Sequence, residues 1–142
     1  MMKIILASKS GVRKKILEKN GISYNAIPSN VDEDQVKDSL LAAGANPTLI
    51  SKNLAELKSI KVSSKYPDNL VLGADSVISL NNELINKPKT REEGLKILRK
   101  LNGSIHYLIT SVCISKNSAM IWNFTDHSEL KMKKLSDEQL AS

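Results

Sequence analysis

Residues 5–17, ILASKSGVRKKIL, join an apolar run to a cationic one through two serines and a glycine. Residues 3–7, KIILA, read as a buried strand. Residues 11–20 read as a short helix closed by Asn20-Gly21, where glycine accepts the left-handed conformation. A strand that ends in small hydroxyl residues and runs into a helix brings backbone N–H groups, hydroxyls and the positive end of the helix dipole to one point. That point suits an anion. Arg13 adds a planar fork for two phosphate oxygens, and Gly11 lets a ligand approach the backbone closely. The same pattern also describes a plain helix capped by Ser10 with its cations in solvent, and on spacing alone that is the simpler reading.

The flanking sequence alternates strand and helix. ISYNAI (22–27) is a second strand ended by Pro28. Asn46-Pro47 is a helix entry, followed by Leu49, Ile50, Leu54, Leu57 and Ile60 at helical spacing; the helix dissolves near SSKYPDN. LVLGA (70–74) is a buried strand, and SVISL (76–80) continues as a strand into an Asn81-Asn82 turn. TREE (90–93) is a capping box that opens a helix carrying Leu95, Leu98 and Leu101 and ending at Asn102-Gly103. Two or three strands are expected to follow, covering 105–115, 119–125 and 128–134. This pattern predicts an α/β fold.

With 142 residues, 41% of them hydrophobic, the chain can bury one core, so a single domain over residues 1–142 is expected. SDEQ (136–139) is a second capping box, yet only three residues follow it. Isolated helical turns are not stable without packing, so the chain is expected to be truncated at its C-terminus. No charged-then-apolar leader and no apolar run near 18 residues is seen, which points to the cytoplasm and away from a membrane. The formal charge of +6 comes mainly from lysine, with arginine only at 13, 91 and 99. Such a surface draws polyanions. Aromatics at 4% and scattered lysines disfavour nucleic acid as the partner, because stacking platforms and arginine stripes are missing. Cys113, the single cysteine, reads as a small apolar strand residue, and His106 and His127 read as structural.

Three further places carry groups able to do chemistry. VDED (31–34) concentrates carboxylates after a strand, GADS (73–76) ends a buried strand in Asp75, and NKPKTREE holds Lys87 before a helix. Acids at strand ends beside an anion site would suit a divalent cation and its phosphate ligand. Each alone also fits a solvated acidic run, a turn or a loop lysine. Spacing therefore reaches a phosphate-binding α/β domain and leaves the reaction open.

The chain resembles the Maf family of nucleoside triphosphate pyrophosphatases, historically called septum formation inhibitors. The family opens with Leu-Ala-Ser-any-Ser-Pro-Arg-Arg, and this chain has Leu6-Ala7-Ser8-Lys9-Ser10-Gly11-Val12-Arg13. PSNVDED, NLAELK, VLGADSV and NKP followed by REEGLKILRKLNGSIHYLITSV match further family segments in order. The resemblance implies an elongated mixed sheet flanked by helices, with a nucleotide cleft between two lobes. It implies hydrolysis of the α–β phosphoanhydride of non-standard or modified nucleoside triphosphates, giving monophosphate and pyrophosphate, with a divalent metal, Mg or Mn. Asp75 would be the general base or a metal ligand, and Glu33 would join it at the metal. Ser8, Ser10 and Arg13 would hold the phosphate chain, with Lys58 and Lys87 stabilising its charge.

Where the chain departs from the family, the consequences concern selectivity. Val12 and Ser76 stand at positions the resemblance ties to substrate specificity, often arginine or tryptophan and threonine or glutamine, so the base is open. Gly11 replaces the usual proline. Family members continue into an alanine-glycine-rich segment with a nucleotide-facing glutamine, so the 142 residues are expected to hold the site residues but only part of the cleft. The resemblance leaves a homodimer open. Two other readings compete with it. An inosine triphosphatase-type enzyme also begins with a strand, a polar loop and a cationic helix. A non-enzymatic nucleotide- or nucleic-acid-binding regulator of cell division would account for the charge.

Overall fold

The structure, a computed structural model, describes residues 4–8 and 10–141. Lys3, placed in the first strand by its sequence, lies outside them. Strand β1 (Ile4–Leu6), helix α1 (Gly11–Lys19) and strand β2 (Tyr24–Ala26) form a βαβ unit in which Ile4 lies opposite Tyr24 and Leu6 opposite Ala26, parallel. Ser10 caps α1 by accepting from the Arg13 N–H at 3.3 Å, and Gly21 at φ 68° follows its end. Then come α2 (Glu33–Ala42), α3 (Pro47–Ser63), β3 (Val71–Leu80), β4 (Glu83–Ile85), α4 (Arg91–Leu101), β5 (Ile105–Lys116), β6 (Ala119–Lys131) and α5 (Asp137–Ala141). The strands make one mixed sheet in the order β2-β1-β3-β5-β6, with β4 also paired to β3. Among the described residues no helix is long and apolar enough to cross a membrane.

The pairing of β3 creates the site. One edge of the strand is bound along its length by antiparallel β5, from Val71 opposite Ser115 to Ser79 opposite Tyr107. The other edge is shared. Val71 and Leu72 pair with β1, while Ile78–Leu80 pair with β4 through the hairpin turn at Asn81 and Asn82, both left-handed at φ 51° and 63°. Between those two pairings, residues 73–77 have no neighbouring strand on that edge among the described residues. Asp75 lies at the middle of this gap.

Helix α3 covers the sheet face to which Asp75 points. Its buried face is small and hydroxylated rather than uniformly apolar: Ile50, Ser51, Leu54, Ala55, Ser59, Val62 and Ser63 are all buried. Of the residues expected to face inward, Leu49 and Leu57 are instead 47% and 43% exposed. The reason is proximity. A Cβ on Gly73 would meet the Ala55 carbonyl oxygen at 2.5 Å and the Ser59 nitrogen at 2.8 Å, so only small side chains fit at this crossing. The buried hydroxyls are paired: Ser59 Oγ to Ser115 Oγ at 2.8 Å, Ser51 Oγ donating to the Asp75 carbonyl at 3.1 Å, and Ser63 Oγ accepting from the Ser118 N–H at 3.0 Å.

Several boundaries differ from those the sequence suggests. The two runs at 70–74 and 76–80 are one strand. Of the two or three strands expected after 105, the structure has two: β6 runs through 119–125 and 128–131 without a break, paired to β5 with one register shift between Ile114 and Ser115, and its polar residues at 126–129 are tolerated on an exposed edge. Helix α2 was not anticipated. Asp32 caps it by accepting from the Gln35 N–H at 3.1 Å, and none of its residues is fully buried, so it carries little hydrophobic periodicity. The TREE and SDEQ caps both form: Thr90 Oγ1 accepts from the Glu93 N–H, and Ser136 and Gln139 cap each other reciprocally. Cys113 is buried in β5, and burial pushes its thiol up to about 11, consistent with a packing role. His127 hydrogen-bonds Thr48 Oγ1 at 3.0 Å, tying β6 to α3.

Candidate active site

A cleft of about 850 Å³ opens at the gap in β3. That volume is within the range of small-molecule sites. One wall is the junction after β1, contributing Ser8, Ser10 and Arg13; another is the start of α2, contributing Glu33; the loop from β4 to α4 brings Lys87; and Lys58, Asp75 and Ser76 also line it. Every site residue suggested by the sequence therefore reaches the cleft except Val12. Val12 sits in the first turn of α1, 69% exposed, and is not among the lining residues.

The junction is ordered by its own hydrogen bonds. Ser8 Oγ accepts from the Ser10 N–H and from Arg13 Nη1, each at 3.1 Å. With both lone pairs occupied, the Ser8 hydroxyl proton is the group's remaining donor. Arg13 is thereby held over the carboxyl end of β1, where parallel sheets with neighbours added on both sides of a strand form their ligand crevice. Arg13→Ala is expected to weaken binding of a non-hydrolysable triphosphate about 10–100-fold and binding of the nucleoside far less. Calorimetric titration of both ligands checks this, and equal losses would remove Arg13 from the phosphate contacts.

Opposite charges meet deeper in the cleft. Lys58 Nζ pairs with Glu33 Oε1, lies 3.1 Å from Asp75 Oδ1 and donates to the Ala74 carbonyl at 3.4 Å. The Lys58 and Asp75 side chains are only 11% and 8% exposed. Burial raises the Asp75 carboxyl above the ordinary aspartate range, outweighing the opposing pull of Lys58 and reinforced by the Glu33 charge. Burial also pushes Glu33 up, but its Lys58 hydrogen bond and the charges of Lys58, Lys37 and Lys87 together leave it below the ordinary range. Glu33 thus contributes stability above its unfolded-state pKa that is lost as pH falls through the lower folded value. Glu33→Gln is expected to lower the unfolding temperature at neutral pH and to match the wild type more closely in acid. A thermal melt series checks this, and an offset that does not change with pH would contradict it.

Asp75 Oδ2 is buried and has no hydrogen-bond partner. A buried carboxylate oxygen without a partner is costly unless something charged or donating completes it. Among the described residues no group of three or more histidine, cysteine, aspartate or glutamate side chains could hold a metal ion. A carboxylate pair still suits a cation that keeps waters and takes its other ligands from substrate phosphates. Lys37, one turn beyond Glu33 and not among the residues the sequence pattern singles out, also lines the cleft, and its charge reaches both carboxylates. The Asp32-x-x-Gln35 capping pattern was the signal that could have placed it on a helix facing the site.

Fold and cleft together define an α/β protein whose cleft sets Ser8, Ser10 and Arg13 beside a carboxylate pair. The profile of the Maf-like protein family matches residues 3–142, and the chain belongs to that family. It is 60% identical over 133 residues to a nucleoside triphosphate pyrophosphatase of Pelagibacter ubique (strain HTCC1062), covering 94% of this chain and 68% of that protein. It is 34% identical over 139 residues to a 7-methyl-GTP pyrophosphatase of Rhizobium etli, covering 98% and 70%. Among solved structures, a HAM1 protein from Coxiella burnetii superposes with a TM-score of 0.61 at 16% identity, over 91% of this chain and 71% of that one. The Staphylococcus aureus Ham1 protein gives 0.56 at 17% identity. At such identities these two structures speak for the fold alone.

Proposed function

We propose that the chain is a nucleoside triphosphate pyrophosphatase that hydrolyses the α–β phosphoanhydride of modified or non-standard nucleoside triphosphates to monophosphate and pyrophosphate. The observation that carries this reading is the buried Asp75, with one oxygen unpartnered, in the same cleft as the Ser8–Ser10–Arg13 anion end. The names of its relatives support it.

Phosphoryl chemistry asks the protein mainly for positioning and charge neutralisation. Ser8, Ser10 and Arg13 hold the phosphate chain, with Lys87 adding positive charge from the facing loop. Asp75, its carboxyl raised by burial, takes the proton of the attacking water; the water oxygen joins phosphorus at the α–β anhydride as the bridging P–O bond breaks. The base needs its ionised form, and a raised pKa makes it a better proton acceptor near neutrality. Glu33 and Asp75 would hold a divalent cation, magnesium or manganese, which when bound would withdraw charge from the phosphates. Ser76, which lines the cleft with its hydroxyl on Thr110 Oγ1 at 3.1 Å, faces the nucleotide as a selectivity contact. The reading places the enzyme in the cytoplasm, where nucleoside triphosphates are made and used.

Pyrophosphate release, with magnesium or manganese, from a panel of standard, methylated, inosine and xanthosine triphosphates tests this. Release confined to some bases would identify the substrate. Phosphate without pyrophosphate, or silence across the panel, would overturn the reading.

A further inference from the structure

Lys58 stands where the proposed chemistry needs both a cation and a phosphate contact, yet its geometry serves neither directly. An ammonium group has three protons, and Glu33 Oε1, Asp75 Oδ1 and the Ala74 carbonyl supply three acceptors. No proton is left over for a phosphate oxygen. Lys58 is also the bridge between the helix carrying Glu33 and the strand carrying Asp75, and its side chain is nearly enclosed. A divalent cation approaching the same two carboxylates meets a positive charge that solvent screens poorly. It must also shed water, which magnesium does reluctantly, and compete with the ammonium for Glu33 Oε1 and Asp75 Oδ1, while the unpartnered Asp75 Oδ2 is buried beside them.

A triphosphate changes both conditions. Its non-bridging oxygens offer new acceptors to the ammonium and additional ligands to the metal, and its negative charge offsets the repulsion between the two cations. We propose that Lys58 bars a free divalent cation from Glu33 and Asp75, and that the triphosphate admits the cation by drawing the ammonium onto its own oxygens. Metal and nucleotide binding are then positively coupled, and by linkage each tightens the other equally. The inference rests on the proposed function, since it takes a triphosphate as the ligand of the cleft.

The test is a manganese(II) titration followed by electron paramagnetic resonance, with and without the non-hydrolysable α,β-methylene analogue of the triphosphate that releases pyrophosphate in the panel. Wild-type protein is expected to bind manganese alone at least about 10-fold more weakly than with the analogue. Lys58→Met is expected to bind manganese alone at least about 10-fold more tightly than wild type and to lose most of the coupling. Lys58→Arg, which keeps the charge, retains weak binding of manganese alone. Equal manganese affinity with and without the analogue in wild type would overturn the proposal, as would a folded Lys58→Met that binds manganese no better than wild type. Should Lys58→Met fail to fold, Lys58→Gln takes its place with the same results expected. Failure of wild type to bind the analogue under any metal condition would overturn the functional reading itself, and the proposal with it.

Discussion

Asp75→Asn is expected to reduce pyrophosphate release by about a thousandfold or more while leaving the non-hydrolysable analogue bound. Asparagine keeps the shape of the side chain but cannot accept the proton of water. Stability provides the internal control. The folded pKa of Asp75 lies above the ordinary range, so its contribution to stability is complete below the unfolded-state value and is lost as pH rises through the folded one. Above that folded value the Asp75 charge therefore weakens the fold, and there the neutral asparagine is expected to unfold at a temperature equal to or above that of wild type. A variant that is inactive, stable and still binds the analogue fits the chemistry assigned to Asp75. Retained turnover would remove this residue from the mechanism, and inactivity with gross unfolding would show only that the site is fragile.

Gly73→Ala is expected to have the largest effect on stability, about 3 kcal/mol, at the upper end of overpacking costs. The added methyl would lie 2.5 Å from the Ala55 carbonyl oxygen and 2.8 Å from the Ser59 nitrogen. Both are backbone atoms, so no rotamer change relieves the clash; helix α3 must move off β3. That movement also carries Lys58 away from Asp75, so activity should fall along with stability. Urea unfolding measures the first effect. A midpoint unchanged within error would show that α3 and β3 can separate at little cost and that the carboxylate site is not rigid.

The two positions are neighbours in the sequence because one short segment does two things. In Gly73-Ala74-Asp75 the glycine sets how closely α3 approaches, and that approach brings Lys58 to the aspartate. The sequence shows such residues clearly wherever local geometry demands a particular chemistry. Ser10, Asn46, Thr90 and Ser136 announce helix starts, and each forms the cap expected of it. Asn81-Asn82 marks the hairpin. Helix α2 was less legible because it buries no residue fully, which removes the periodicity that identifies amphipathic helices. The inward face of α3 is legible at Ile50 and Leu54, both buried, and not at Ser51, Ser59 and Ser63, since close packing at Gly73 selects for small size over hydrophobicity. Long-range placement was beyond local pattern. Nothing in NLAELK indicates that Lys58 spends its donors on Glu33, Asp75 and Ala74, and nothing near Val12 indicates that it stands outside the cleft.

Product analysis by phosphorus NMR, with a nucleoside triphosphate accepted in the panel and a divalent metal present, tests the assigned reaction most directly. Monophosphate and pyrophosphate appearing in equal amounts, and absent with Asp75→Asn, is the predicted result. Diphosphate and inorganic phosphate as the products would mean cleavage at the β–γ bond and would contradict the proposed function.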